Sequence, residues 1–259
     1  MRQSYTNIQA EKKMLAFCGK GGVGKTSLCA LTAKICCENS SKKILAIDAD
    51  PAIGLSTSLG IQVTKTVDDI RNELVKRIQS KAGNQRQWLS EINYELFDAL
   101  KEIDNLAFLA IGRPEGDGCY CQVNRFLKEM IHDLADHFDT VLIDGEAGIE
   151  QVNRRVMDKV THLFLISDTS RKGLTVAETI HRVAAQKIPF QHAGLILNRV
   201  QSDNDFQTAR QHTQLPVLGC IFEDENIYHM DRSDQTVMNL KKTSAMADLE
   251  TLLSDLKIL

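Results

Sequence analysis

The chain of 259 residues is most informative at first for what it lacks. No stretch approaches the roughly 18 continuous apolar residues of a membrane span, and the opening MRQSYTNIQAEKK has no apolar run of the secretory type. There is no basic excess: 31 Lys and Arg face 34 Asp and Glu, for a net charge of −3. No global field therefore recruits nucleic acid or an anionic membrane. Internal repeats and low-complexity linkers are missing. Seven cysteines, an odd number scattered over a long chain, do not make a secreted disulfide framework. These absences place the chain in a reducing cytoplasm, with neither nucleic acid nor membrane as a partner.

What is present is ordinary globular composition, 43% hydrophobic and 25% charged, and a regular alternation of elements. Short apolar runs predict strands at residues 14–18 (MLAFC), 43–48 (KILAID), 106–111 (LAFLAI), 140–144 (TVLID), 162–167 (HLFLIS), 193–198 (AGLILN) and 217–222 (VLGCIF). Most lack polar alternation, as strands buried on both faces do. Helical patterns lie between them, at residues 27–38 and again at 123–137. In the second, Phe126, Leu127, Met130, Ile131 and Leu134 share one face. The β-then-α order implies a doubly wound, mainly parallel α/β sheet. Residues 66–104 read as a helical insertion between strands. With no boundary signal around it, residues 1–259 read as one domain.

The first strand runs into Gly19-Lys20-Gly21-Gly22-Val23-Gly24-Lys25-Thr26, then Ser27. This fits G-x-x-x-x-G-K-[ST] between a strand and a helix. Glycines let backbone N–H groups turn inward around phosphate oxygens, and the helix start adds a positive dipole end. Lys25 can reach the β- and γ-phosphates of ATP, and the Thr26 hydroxyl can ligate Mg²⁺. The second strand ends in Asp48-Ala49-Asp50-Pro51, with carboxylates where a parallel sheet faces its ligand crevice. Asp50 is a candidate to orient or deprotonate the attacking water, and Asp48 to hold a magnesium-bound water. Either can also be a polar cap on a turn. TVLID ends at Asp144, a Walker B pattern that puts this carboxylate in the magnesium shell. Gly148, in the AGIE that follows, would let a backbone N–H sense the γ-phosphate.

Lys20 is a second lysine that a plain phosphate loop does not need. GKGGVGKT resembles the deviant Walker A motif of the MinD/ParA/nitrogenase-iron-protein ATPases, P-loop NTPases that dimerise around ATP. The resemblance implies that Lys20 contacts phosphate across a homodimer interface, adding to the catalytic set Lys20, Lys25 and Asp50. It also implies that Asn198, with Arg199 beside it, meets the adenine ring, and that residues near Ile221 and Phe222 supply backbone contacts to the base. Related ATPases often have proline where this chain has Phe222.

Gly116-Asp117-Gly118-Cys119-Tyr120-Cys121-Gln122 sets two thiols one residue apart where the 123–137 helix opens. A helix N-terminus favours thiolate, the form that binds borderline and soft metals. One Cys-x-Cys supplies two ligands, and a stable site wants four. A twofold dimer doubles the count. A bridge between Cys119 and Cys121 would strain disulfide geometry, and the other cysteines read as structural. The order GKGGVGKT, DADP, GCYC and DGEAGIE resembles CooC-type ATPases, the nickel-insertion accessory proteins of carbon monoxide dehydrogenase. That resemblance, from about residue 14 onward, implies an ATPase that holds Ni²⁺ or Zn²⁺ between Cys119 and Cys121 of two chains for a nickel enzyme client. The rivals are an iron–sulfur cluster carrier and a MinD- or ParA-like positioning ATPase. Against a membrane-bound positioning role, the amphipathic stretch 243–259 carries Asp248, Glu250 and Asp255 against one lysine, Lys257, so it is expected to pack on the sheet rather than on lipid.

Overall fold

The computed structural model describes residues 12–80, 85–113, 121–146, 152, 156–230, 233 and 235–259, with residues 85–91 and 121 as backbone only. Eight strands form one sheet: β1 (Lys13–Gly19), β2 (Ile44–Asp48), β3 (Lys101–Ile103), β4 (Leu106–Ala110), β5 (Thr140–Asp144), β6 (Val160–Ser167), β7 (Phe190–Val200) and β8 (Val217–Phe222). Their order is β3-β4-β2-β5-β1-β6-β7-β8. Every pairing is parallel except the antiparallel β3–β4 edge. The seven predicted strands are all there. Two short elements had no clear sequence signal, the three-residue β3 and the helix α2 (Gly54–Leu59).

Period-two geometry sends alternate strand residues into two layers. From β1, Met14, Ala16 and Cys18 join one core, and Leu15 and Phe17 the other. The first core is covered by α3 (Val67–Gln79), α4 (Gln85–Ala99), α5 (Cys121–Ala135), α6 (Arg171–Lys187) and α7 (Asp203–Gln211). The stripe predicted for α5 is the one it buries: Leu127, Met130, Ile131 and Leu134 are in the core, and Phe126 packs against it. The 66–104 insertion holds α3, α4 and β3. Thr66 and Asp69 close a reciprocal capping box at the start of α3. Lys65, Glu73, Arg77 and Glu95 form an ion-pair network between α3 and α4.

The other core is covered by α1 (Lys25–Asn39), α2, a 3₁₀ turn (Val237–Asn239) and α9 (Ser244–Asp255), with α8 (Glu225–Met230) between β8 and that turn. Helix α1 is buried almost all round, from Leu28 to Cys36, as a helix enclosed between layers must be. Its buried Lys34 donates to the carbonyl of Met238 at 2.9 Å and pairs with Glu38 at 2.7 Å. Helix α9 buries Leu249, Leu252 and Leu253 against the sheet side, the packing expected for the 243–259 stretch. No described helix is long and apolar enough to cross a membrane.

At the centre of this layer Phe17 and Phe164 meet edge to face, ring centroids 5.3 Å apart, both essentially unexposed. Phe164→Ala should cost about 3–5 kcal/mol of unfolding free energy, and Phe164→Leu less than about 1.5 kcal/mol. Urea denaturation with an unchanged m-value checks both figures.

Candidate functional site

Parallel pairing brings the C-terminal ends of β1, β2, β5, β6, β7 and β8 to one edge of the sheet, and every described candidate residue gathers there. Gly19, the last residue of β1, pairs with Ile166, and a Cβ on it would stand 2.2 Å from the Ile166 carbonyl oxygen. Only glycine lets β1 leave the sheet there. Lys20 to Gly24 then form the loop, with Gly22 at φ +80 and Gly24 at φ +92, conformations that favour glycine. A Cβ on Gly24 would also meet the Asn198 side-chain nitrogen at 2.4 Å. Helix α1 begins at Lys25, so its first N–H groups and its dipole face the loop.

Lys25 is buried, and its Nζ donates to the Lys20 carbonyl at 3.3 Å. Lys20 itself is half-buried. The Thr26 hydroxyl donates to Asp144 Oδ2 at 2.6 Å, joining the first turn of α1 to the end of β5. Asp144 is fully buried, and its Oδ1 is the one buried side-chain polar atom among the described residues that has no hydrogen-bond partner. Burial pushes its pKa up to about 7, against the Thr26 hydrogen bond and with the help of nearby Asp48. A hydroxyl, an adjacent carboxylate and an unmet buried oxygen make a donor set that fits a hydrated Mg²⁺.

Asp48 lies beside Asp144 in the register of β2 and β5. Its two carboxylate oxygens accept from the backbone N–H groups of Asp50 at 3.0 Å and Leu55 at 2.9 Å. Burial raises its pKa to about 6 against these bonds. Asp48 thus shapes the turn that presents Asp50. Asp50 Oδ1 accepts from Ala52 N at 2.9 Å, and the Asp50 carbonyl from Ile53 N at 3.0 Å, with Ile53 at φ +52. The Asp48 carbonyl accepts from Ile111 N, and the Ile111 carbonyl from Asp68 N, both at 2.9 Å. The end of β4 is therefore bonded to the Asp48–Asp50 turn on one side and to α3 on the other.

Beside the loop is a cleft of ≈ 120 Å³ lined by Ser27, Leu28, Leu31, Asn198, Phe222 and Tyr228, among others. Asn198 Nδ2 donates to the Val23 carbonyl at 2.8 Å, and Arg199 Nη1 to the Gly22 carbonyl at 3.2 Å. Asp224, unmarked by any motif, organises the far wall. It accepts from Asn226 N (2.9 Å), Asn226 Nδ2 (3.1 Å), Ser244 Oγ (2.7 Å) and Ala245 N (3.0 Å). Burial works to raise its pKa, but these bonds outweigh it and hold the carboxyl well below its usual range. The run Asp-Glu-Asn after a strand is an Asx-turn signal that could have marked it.

Gly148 and Cys119 lie outside the described residues, as does the Cys121 side chain; the Cys121 backbone opens α5. The five described cysteines are free thiols. Burial pushes Cys36 up to about 12, Cys37 to about 11 and Cys29 well above the usual thiol value, so these pack rather than react. Among the described residues no three His, Cys, Asp or Glu side chains converge as metal ligands.

Strand, glycine-rich loop and helix, with a carboxylate on the neighbouring strand bonded to the loop's threonine, define a P-loop nucleotide-binding fold. The sequence model of the CobQ/CobB/MinD/ParA nucleotide binding domain matches residues 15–237, and the chain belongs to that family. It is 38% identical over 194 residues to an uncharacterized ATP-binding protein of Methanocaldococcus jannaschii, covering 73% of this chain and 76% of that one. It is 25% identical over 243 residues to the carbon monoxide dehydrogenase accessory protein CooC of Rhodospirillum rubrum, covering 87% and 89%. In fold it is similar to the septum site-determining protein MinD of Pyrococcus horikoshii, solved in complex with Mg-ADP. The TM-score is 0.66 at 22% identity, over 95% of this chain and 96% of the other.

The raised carboxyl of Asp144 gives a pH dependence. A carboxyl whose folded pKa is raised keeps a proton that the unfolded chain releases, so stability falls as pH rises from about 4 toward 7 and then levels off. Nucleotide-free protein in chelator should lose up to about 2–3 kcal/mol of stability between pH 5 and pH 8 through this group. Asp144→Asn should reduce that slope, leaving the part that Asp48, raised to about 6, contributes at the acid end. Thermal melts at the two pH values check it, and equal slopes in both proteins would sink the assignment.

Proposed function

We propose that the chain is an ATP-hydrolysing metallochaperone that dimerises with ATP and carries Ni²⁺ or Zn²⁺ between paired Cys119-x-Cys121 motifs to a nickel enzyme such as carbon monoxide dehydrogenase. The observation that carries the ATPase half is the Thr26–Asp144 hydrogen bond beside an unmet buried carboxylate oxygen, next to the loop and under the start of α1. The metal half is supported by the Cys-x-Cys where α5 opens and by the similarity to CooC.

Each residue has a role in this reading. Lys25 exchanges the Lys20 carbonyl for the terminal phosphates, an ion pair stronger than the bond to an uncharged carbonyl that it leaves. Thr26 and Asp144 hold the magnesium ion, which when bound neutralises charge on the phosphate oxygens. Asp50, presented by the Asp48 turn, orients or deprotonates the attacking water. Lys20 of a second chain brings a further cation to the charge that builds in the transition state. Asn198 donates one amide N–H to the Val23 carbonyl, which leaves its side-chain carbonyl oxygen to accept from the exocyclic amine of the adenine ring.

Two tests follow from these roles. Lys25→Ala should abolish nucleotide binding, whereas Asp50→Ala should bind ATP and lose turnover; Asp50→Ala hydrolysing at the original rate would remove it from the catalytic set. Cys119→Ser and Cys121→Ser should each abolish Ni²⁺ or Zn²⁺ binding, which in the wild type should be one metal per two chains, and should leave nucleotide binding intact. Metal analysis paired with sedimentation reads the stoichiometry. One metal per single chain, or full binding without either cysteine, would place the ligands elsewhere.

A further inference from the structure

The end of β7 contains an irregularity that the nucleotide reading does not use. Asn198 pairs with Ile221 and Val200 with Phe222, so the register shifts by one residue at Arg199, a bulge in the β7–β8 ladder. Arg199 has φ +57, a backbone conformation that side-chain-bearing L-residues seldom adopt. Asn198 and Val200 on either side are buried, while Arg199 is exposed. Bulges of this kind re-aim a side chain, and non-glycine residues at positive φ collect at functional sites. The re-aimed guanidinium reaches the phosphate loop, where it donates to the Gly22 carbonyl, one peptide before the carbonyl held by Asn198.

The geometry points to Arg199, together with Asn198, as a positioning residue that sets the orientation of two peptide planes in the phosphate loop. In a planar trans peptide, the C=O of one residue and the N–H of the next point in opposite directions. Fixing the Gly22 carbonyl toward β7 therefore turns the Val23 N–H away from β7. Fixing the Val23 carbonyl does the same for the Gly24 N–H. Successive N–H groups turned to one side make an anion-binding concavity. The loop's glycines permit many orientations, because Gly22 and Gly24 are at positive φ and a Cβ on Gly22 would meet nothing within 4 Å. Glycine freedom alone does not choose among those orientations; hydrogen bonds from β7 do. The ligand is the anionic polyphosphate of a nucleotide, and this inference rests on the nucleotide reading above.

Arg199→Ala, Arg199→Gln and Arg199→Lys separate the hydrogen bond from the charge. Binding of ADP to the full chain is titrated calorimetrically in Mg²⁺ buffer, and amide exchange is followed across the loop in the nucleotide-free state. Arg199→Ala should raise the Kd for ADP about tenfold and speed exchange at Val23 and Gly24, with melting temperature close to wild type. Arg199→Gln, which keeps a donor and loses the charge, should recover to within about threefold of wild type. In turnover, the Ala substitution should raise KM for ATP far more than it lowers kcat. Unchanged ADP affinity in the Ala variant overturns the proposal, and so does a Gln variant as weak as Ala with Lys restoring binding, because charge would then be the cause. Wild-type protein that binds no ADP would instead remove the nucleotide reading itself, a distinct failure.

Discussion

The hydrogen bond from Thr26 to Asp144 is the contact on which the site depends. It ties the first turn of α1 to the end of β5, across the point where β1 leaves the sheet. Asp144 is enclosed with a second carboxylate, Asp48, directly beside it in register. Two buried acids side by side are unfavourable as a charged pair. Burial raises both carboxyls, and Asp48 is partly compensated by the backbone N–H groups of Asp50 and Leu55.

The surrounding layers hold this arrangement still. Helix α1 has no solvent face over most of its length, so the phosphate loop is anchored at its far end by a helix that cannot tilt without disturbing both the sheet and the layer outside it. Cys29 and Cys36 are small apolar fillers in that packing, and burial keeps them protonated.

The frame of the fold was legible because strands buried on both faces spell themselves as apolar runs, and because the phosphate loop is punctuated by obligatory glycines. The stripe of α5 was legible for the same reason, one periodicity carried over several turns. Helix α2 and strand β3 were not, because six and three residues are too few to set a period. Asp48 and Asp50 could be named from their strand-end position, but the engagement of both Asp48 oxygens by the backbone N–H groups of Asp50 and Leu55 could not. The bulge at Arg199 was invisible: one extra residue in a ladder leaves no trace in an apolar pattern, and only the register of β8 shows it. Asp224 escaped for a related reason, since its partners Ser244 and Ala245 lie twenty residues away.

The antiparallel strand β3 closes one margin of the sheet with Lys101-Glu102-Ile103, of which Glu102 and Ile103 are exposed. A long, flat, apolar margin would offer its unpaired amides to any passing chain. Three residues carrying two charges make a poor template, so lateral stacking of sheets into fibrils is discouraged on that side.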